Sequence, residues 1–169
     1  MKILITGGAG FIGSNFIHHT LSIRPDWKIL NLDALTYAGN MENFKDLPSE
    51  LKERHKFIQG DIRDAAFLEK LFNTEEIDRV VHFAAESHVD RSILGPDAFV
   101  ETNVVGTFRL LEAAKKTGKE KTRTIHSVSC MSPPMRYMAA WVLRVISQRI
   151  HPMTLPAPTP PQRHHQINL

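Results

Sequence analysis

Cysteine is nearly missing from this chain: Cys130 stands alone among 169 residues. An intrachain disulfide is excluded, and a reducing compartment, the cytoplasm, is the expected location. Long apolar runs are also missing. No stretch approaches the roughly 20 residues of a membrane-spanning helix. Met1 leads straight into an apolar segment, without the basic region and cleavage site of a secretory leader. No membrane partner is expected. Acidic residues are missing from one part only. Residues 1–120 hold all 18 Asp and Glu against 15 Lys and Arg, whereas residues 121–169 hold six basic residues and no acid. That tail also carries seven of the ten prolines and none of the nine glycines. Basic residues scattered among prolines make no ordered strip for a phosphate backbone, so nucleic acid is not an expected partner. The composition breaks near Thr122. Residues 1–126 read as one folded domain, and residues 127–169 as a proline-rich, largely disordered tail.

What is present before the break is an alternation of apolar runs with helical patterns, the signature of parallel βαβ units. KILIT (2–6) and KILNLD (28–33) read as buried strands, HKFIQGD and DRVVHFAA as a third and fourth, and TIHSVS as a fifth. FIGSNFIHHTLS reads as a helix facing the sheet through Phe11, Ile12, Phe16 and Ile17. DAAFLEKLF is a helix with Asp64 at or near its N-cap. PDAFVETNVVGTFRLLEAAKK is a long helix started by Pro96. AAWVLRVISQRI reads as a further short helix. The expected fold class is α/β: a doubly wound, Rossmann-like parallel sheet.

TGGAGFIG sets Gly7, Gly10 and Gly13 between the first strand and the first helix. Glycines there let the backbone turn tightly and approach a pyrophosphate, whose charge rests on the helix N-terminus. Asp33 closes the second strand about twenty residues on, as a dinucleotide fingerprint requires. A carboxylate there accepts hydrogen bonds from both ribose hydroxyls and repels a 2′-phosphate, and Ala34 and Leu35 supply no arginine to hold one. NAD is therefore expected over NADP. Asp61 and Ile62 end the third strand, where the carboxylate either meets an adenine amino group or caps a helix. Phe83, Ala84 and Ala85 end the fourth strand, with side chains small enough at 84 and 85 for a cofactor to lie against the backbone.

ESHVDRSI crowds Glu86, Ser87, His88, Asp90 and Arg91 beyond that strand end, where a sugar nucleotide could be held. His82 and His88 have no second ligand cluster at metal spacing, so no metal is expected. His18 and His19 read as surface residues on the first helix.

TGGAGFIGSNF, NLDALTYAGN, GDIRD, AAESHVDRSI and FVETNVVGTFRLLEAA together resemble the dTDP-glucose 4,6-dehydratase family of the extended short-chain dehydrogenase/reductase superfamily. LDALTYAGN and AAESHVDRS are closer to that family than to UDP-glucose 4-epimerases or GDP-mannose 4,6-dehydratases. The resemblance spans Met1 to about Arg123, which implies an incomplete fold, with the family's later strands and substrate domain missing. It implies an NAD-dependent lyase of nucleotide-sugar metabolism, acting on a dTDP-sugar and forming homodimers. By position, Phe11, Ile12, Asp33, Ala34, Leu35, Thr36, Asp61, Ile62, Phe83, Ala84, Ala85 and Thr102 would contact NAD, and Ser87 would lie by the sugar.

The resemblance also implies catalytic residues that this chain does not have. The family carries Thr-Asp-Glu after the fifth strand and a Tyr-x-x-x-Lys on the next helix. Neither occurs here, so no catalytic residue is assigned. Both appear if the last base of each codon is read with the first two of the next. Met131 to Ala139 then permits VSTDEVYG, in which the last glycine is forced by ATG followed by GC. Pro158 to Arg163 permits YSASK by the same shift. CMSPPMRYMAAW thus reads as a catalytic segment translated out of frame, with the slip between Lys121 and Val128. Two other readings stand beside this one: another sugar-nucleotide epimerase or dehydratase, and a non-catalytic dinucleotide-binding module.

Overall fold

The computed structural model describes residues 1–87, 96–117 and 124–126. Five strands, β1 (Lys2–Thr6), β2 (Lys28–Asp33), β3 (His55–Gln59), β4 (Arg79–His82) and β5 (Thr124–His126), form one parallel sheet in the order β3-β2-β1-β4-β5. In register, Lys2 lies opposite Lys28, and Thr6 opposite both Leu32 and His82. Strands β1 and β2 are almost entirely buried because helices cover the sheet on both sides. Their alternating side chains feed two separate cores. Leu4, Leu30, Leu32 and Val80 point to one face, against Leu68, Leu71 and Phe72 of α3 (Ala65–Thr74) and Leu110 and Ala114 of α5 (Thr107–Thr117). Ile3, Ile5 and Ile29 point to the other, against Ile17 and Leu21 of α1 (Phe11–Ile23) and the loop residues Phe44 and Leu47. Each such side chain contributes about 1.5–3 kcal/mol on burial.

The loop between β2 and β3 holds a 3₁₀ turn (Met41–Phe44), with Asn40 accepting from Glu42 N at 2.9 Å, and one turn of helix, α2 (Ser49–Lys52). Asp64 caps α3 as expected, accepting from Phe67 N at 2.9 Å.

Two expectations need correcting. Phe11 and Ile12 do not face the sheet: they are 82% and 46% exposed, and the buried face of α1 is Gly13, Ser14, Ile17, Thr20 and Leu21. Both instead line a cavity that opens beside the first turn of α1. Nor is the helix from Pro96 uniformly α. It runs as α4 (Pro96–Phe99), a π-helical stretch (Val100–Gly106) and then α5. Such wide turns recur at functional sites. The expected helix in AAWVLRVISQRI and the expected disordered tail lie outside the described residues, as do His88, Asp90 and Arg91. Among the described residues, no helix is long and apolar enough to cross a membrane.

Candidate functional site

Strand order reverses direction at β1, whose neighbours lead outward through β2 on one side and β4 on the other. In open α/β sheets, ligands collect at such a switch point, outside the carboxyl ends of the strands. A cavity of about 290 Å³ lies there, bounded by the turn after β1, the ends of β2 and β3 and the segment leaving β4.

The turn after β1 is shaped by its glycines. Gly7 has φ +68°, and a Cβ on it would stand 2.5 Å from Ala84 N. A side chain at Gly13 would overlap the Gly7 carbonyl oxygen. These two glycines bring the turn, α1 and the β4 exit together. Gly10 differs. It caps α1 in extended backbone (φ −74°, ψ 171°), and a Cβ there would meet only Gly7 O at 3.4 Å and Ala38 O at 4.0 Å. Nothing among the described residues requires glycine at position 10; a methyl there would occupy the cavity that Gly10 lines. No side chain caps the first turn of α1 and no acidic residue lies in it. Its N–H groups and the positive end of the helix dipole thus face the cavity, the arrangement that receives a phosphate.

Asp33 is buried, and both its oxygens already accept backbone hydrogen bonds. Ala9 N donates to Oδ2 at 2.9 Å and Leu35 N donates to Oδ1 at 2.8 Å. The carboxylate therefore ties the glycine turn to the exit of β2, while its remaining lone pairs stay available at the cavity wall. Leu35 stands at φ +52°, a left-handed backbone that costs a non-glycine residue about 1–2 kcal/mol. The Asp33 bond helps to hold it there. This turn sends the Leu35 side chain into the Ile3–Ile5 core, so Leu35 is absent from the residues lining the cavity.

The other residues singled out from the sequence do line one cavity: Gly7, Gly10, Phe11, Ile12, Gly13, Asp33, Ala34, Thr36, Asp61, Ile62, Phe83, Ala84, Ala85, Ser87 and Thr102. Strand β3 stops at Gln59 and β4 at His82, so Asp61, Ile62 and Phe83 to Ala85 stand beyond the strand ends rather than on them. Asp61 is not a helix cap. It is held by Arg63, whose Nε lies 2.9 Å and whose terminal nitrogen lies 2.6 Å from Oδ2, and whose backbone N donates to Oδ1 at 2.8 Å. The guanidinium hydrogen bond is the main reason the Asp61 carboxyl sits below its ordinary pKa. Arg109 in turn donates to the Arg63 carbonyl, bracing the pair from α5.

Sequence reasoning missed Arg63, Gly39 and Gly60 as lining residues, whereas Glu86 belongs to the polar cluster singled out beyond the fourth strand. The three missed residues fall inside motifs already quoted, NLDALTYAGN and GDIRD. The available signal was their place just past a strand end. His18 is more engaged than a surface residue: it stacks on Phe44 and its Nε2 lies 2.7 Å from Asn43 O. Among the described residues no cluster of His, Cys, Asp and Glu could hold a metal.

Comparison with known proteins places this geometry in a lineage. The chain is 53% identical over 116 residues to a dTDP-glucose 4,6-dehydratase of Salmonella typhimurium, covering 69% of this chain and 31% of that protein. It is similar to the crystal structure of DesIV, a dTDP-glucose 4,6-dehydratase of Streptomyces venezuelae with NAD and TYD bound (47% identity, TM-score 0.61, 70% of this chain and 37% of that one). A UDP-glucose 4-epimerase of Thermotoga maritima, with UDP-glucose, follows at 29% identity and TM-score 0.64, covering 75% of this chain and 37% of that one. The chain thus spans about a third of the length of the curated relatives it matches. Residues 4–131 match the family model described as GDP-mannose 4,6 dehydratase, a stretch that takes in the glycine turn, Asp33 and the β4 exit, and by that match the chain belongs to this family.

Proposed function

We propose that this chain is the NAD-binding N-terminal part of a dTDP-glucose 4,6-dehydratase, followed by a tail read out of frame. The observation that carries the cofactor reading is Gly10. Its missing side chain serves no close contact among the described residues, yet it clears the cavity in front of an uncapped helix N-terminus. A group with an anionic centre and a ribose fits that cradle. The N–H groups at the start of α1 would hold the pyrophosphate, Asp33 the adenine-side ribose, and Ile62 and the Asp61–Arg63 pair the adenine. Ala84, Ala85 and Thr102 would lie along the remainder, with Ser87 toward the sugar. NAD, when bound, supplies a reversible hydride acceptor.

The dTDP-glucose reading rests on the high identity to dehydratases of that name and on the AAESHVDRS and LDALTYAGN motifs. The likeness to a UDP-glucose 4-epimerase supports a second reading, a related sugar-nucleotide enzyme. In either case this chain is catalytically incomplete. Asp and Glu are absent beyond Glu120, and neither Tyr37 nor Tyr137 is followed by a lysine four positions on. General acid–base groups each contribute about a hundred- to ten-thousand-fold, and the family's Asp-Glu pair and Tyr-x-x-x-Lys are both missing after the fifth strand.

Titration calorimetry with NAD, ADP-ribose and NADP tests the cofactor reading. ADP-ribose should retain most of the NAD affinity, because its contacts lie on the described strands, and NADP should bind more weakly beside Asp33. Equal binding of NADP, or none of NAD, rejects it. Incubation with dTDP-glucose and NAD should give no loss of water by mass spectrometry. A gene with the frame restored before Met131, and continued to its natural end, should give it. The coding DNA decides the tail: no codon choice yielding TDEVYG and YSASK in the neighbouring frame ends that reading.

A further inference from the structure

The segment leaving β4 forms one wall of the cavity, and among the described residues it has no partner strand on the β5 side. Strand β4 ends at His82, and the described part of β5 pairs with Arg79 to Val81. Phe83 N still reaches Thr6 O at 2.9 Å. Beyond it, support comes from a line of side chains behind the wall.

The direction of each bond in that line follows from its neighbours. The Thr107 hydroxyl lies 2.8 Å from Asn103 O, which can only accept, so the hydroxyl proton goes there. Thr107's own N–H goes to Val104 O. With its proton committed, Thr107 Oγ1 must accept from His82 Nε2, 3.0 Å away. His82 is buried, and burial pushes its pKa down to about 4, so the ring is neutral and Nδ1 is bare. Nδ1 accepts from the Thr6 hydroxyl at 2.6 Å. The Thr6 oxygen then faces Ala84 N at 3.4 Å as an acceptor. At the other end, Asn103 accepts from Glu86 N at 2.8 Å and donates to Glu86 O at 2.9 Å, as a paired strand would. Ala84 thus begins a unidirectional chain that ends on the Asn103 backbone carbonyl, and the Asn103 side chain secures Glu86, two residues further along the wall.

We infer that His82, Thr107 and Asn103 are positioning residues for the cofactor, whose hydrogen-bond chain fixes the Ala84–Glu86 backbone in the geometry NAD lies against. This rests on the NAD reading above. A chain of this kind polarises its members and leaves no tolerance for a missing link, because each buried group has one partner per proton or lone pair. Losing the Thr107 hydroxyl orphans His82 Nε2–H and frees Asn103 O together.

The test uses the whole chain and NAD itself, by calorimetry and thermal melting. Thr107→Val, of nearly the same shape, should bind NAD about tenfold more weakly, while Thr107→Ser, which keeps the hydroxyl, should bind like wild type. Asn103→Asp should also weaken binding, since its carboxylate accepts from Glu86 N but has no proton for Glu86 O. A role confined to stability predicts instead lower melting temperatures with unchanged affinity in the folded fraction, and that result overturns the inference. In case Thr107→Val does not fold, the His82 ring in the wild-type chain carries the decision. Its nitrogen resonances should show the Nε2–H tautomer and shift on adding NAD. An Nδ1–H tautomer, or a ring indifferent to bound NAD, refutes it. Absence of NAD binding in the wild-type chain defeats the NAD reading and this inference together; normal wild-type binding with unaffected variants defeats this inference alone.

Discussion

Replacing Gly10 and Gly13 with alanine, one at a time, should separate a glycine kept for a ligand from a glycine kept for the fold. At Gly10 the backbone already lies where alanine is comfortable (φ −74°, ψ 171°), and the new methyl would touch nothing closer than 3.4 Å. Alanine also narrows the unfolded ensemble, which stabilises by about 0.4–1 kcal/mol. The melting temperature should therefore hold or rise slightly. The same methyl projects into the cavity, where a phosphate oxygen would approach the N–H groups of α1. Loss of one hydrogen bond to a charged acceptor costs about 1.5–3 kcal/mol, so NAD should bind roughly ten- to 150-fold more weakly. At Gly13 the balance reverses. Alanine gains about 1 kcal/mol of helix propensity, but its methyl overlaps the Gly7 carbonyl, a backbone atom that cannot swing aside. Overpacking of that kind costs about 1–3 kcal/mol and displaces the turn, so Gly13→Ala should melt lower. Thermal unfolding followed by circular dichroism, paired with calorimetric titration of NAD, reads both effects. A Gly10→Ala chain that binds NAD as wild type does, or that melts well below it, would refute the reasoning.

Asp33→Ala removes the acceptor for Ala9 N and Leu35 N as well as the ribose site, so both melting temperature and NAD affinity should fall; unchanged affinity by calorimetry rejects the ribose assignment. His82 and His55 both have pKa values lowered from 6.5 to about 4, chiefly by burial. The unfolded chain therefore binds more protons between those values, and stability should fall as pH drops from about 6.5 to about 4, with His82 alone worth roughly 3 kcal/mol. Urea unfolding across that window should show the decline, flattened in His82→Gln; a level profile for the wild-type chain contradicts it. Arg63→Ala should let the Asp61 pKa climb back toward its ordinary value, measurable by NMR titration of the carboxyl carbon, because the guanidinium hydrogen bond is the main cause of the depression.

Local rules sufficed for much of this molecule. Apolar runs of strand length, Asp64 before a helix, Pro96 at a helix start and three glycines between a strand and a helix each depend on neighbours a few residues away. The parallel sheet, its helices and the switch-point cavity were legible from them. Tertiary structure decided what depends on residues far apart in the chain. Phe11 and Ile12 match a buried helical face by periodicity, but they line an open cavity and stand exposed. Leu35 sits within the cofactor motif, but the Asp33 hydrogen bond twists its backbone and turns its side chain into the core. Asp61 could have been a cap until Arg63 claimed it and Asp64 took the cap. His82 reads as one more apolar-strand residue; only the meeting of β1, β4 and the π turn gives it Thr6 and Thr107 as partners. Periodicity reports which way a side chain leaves its own backbone, whereas hydrogen-bond partners from distant segments exist only once the chain has folded.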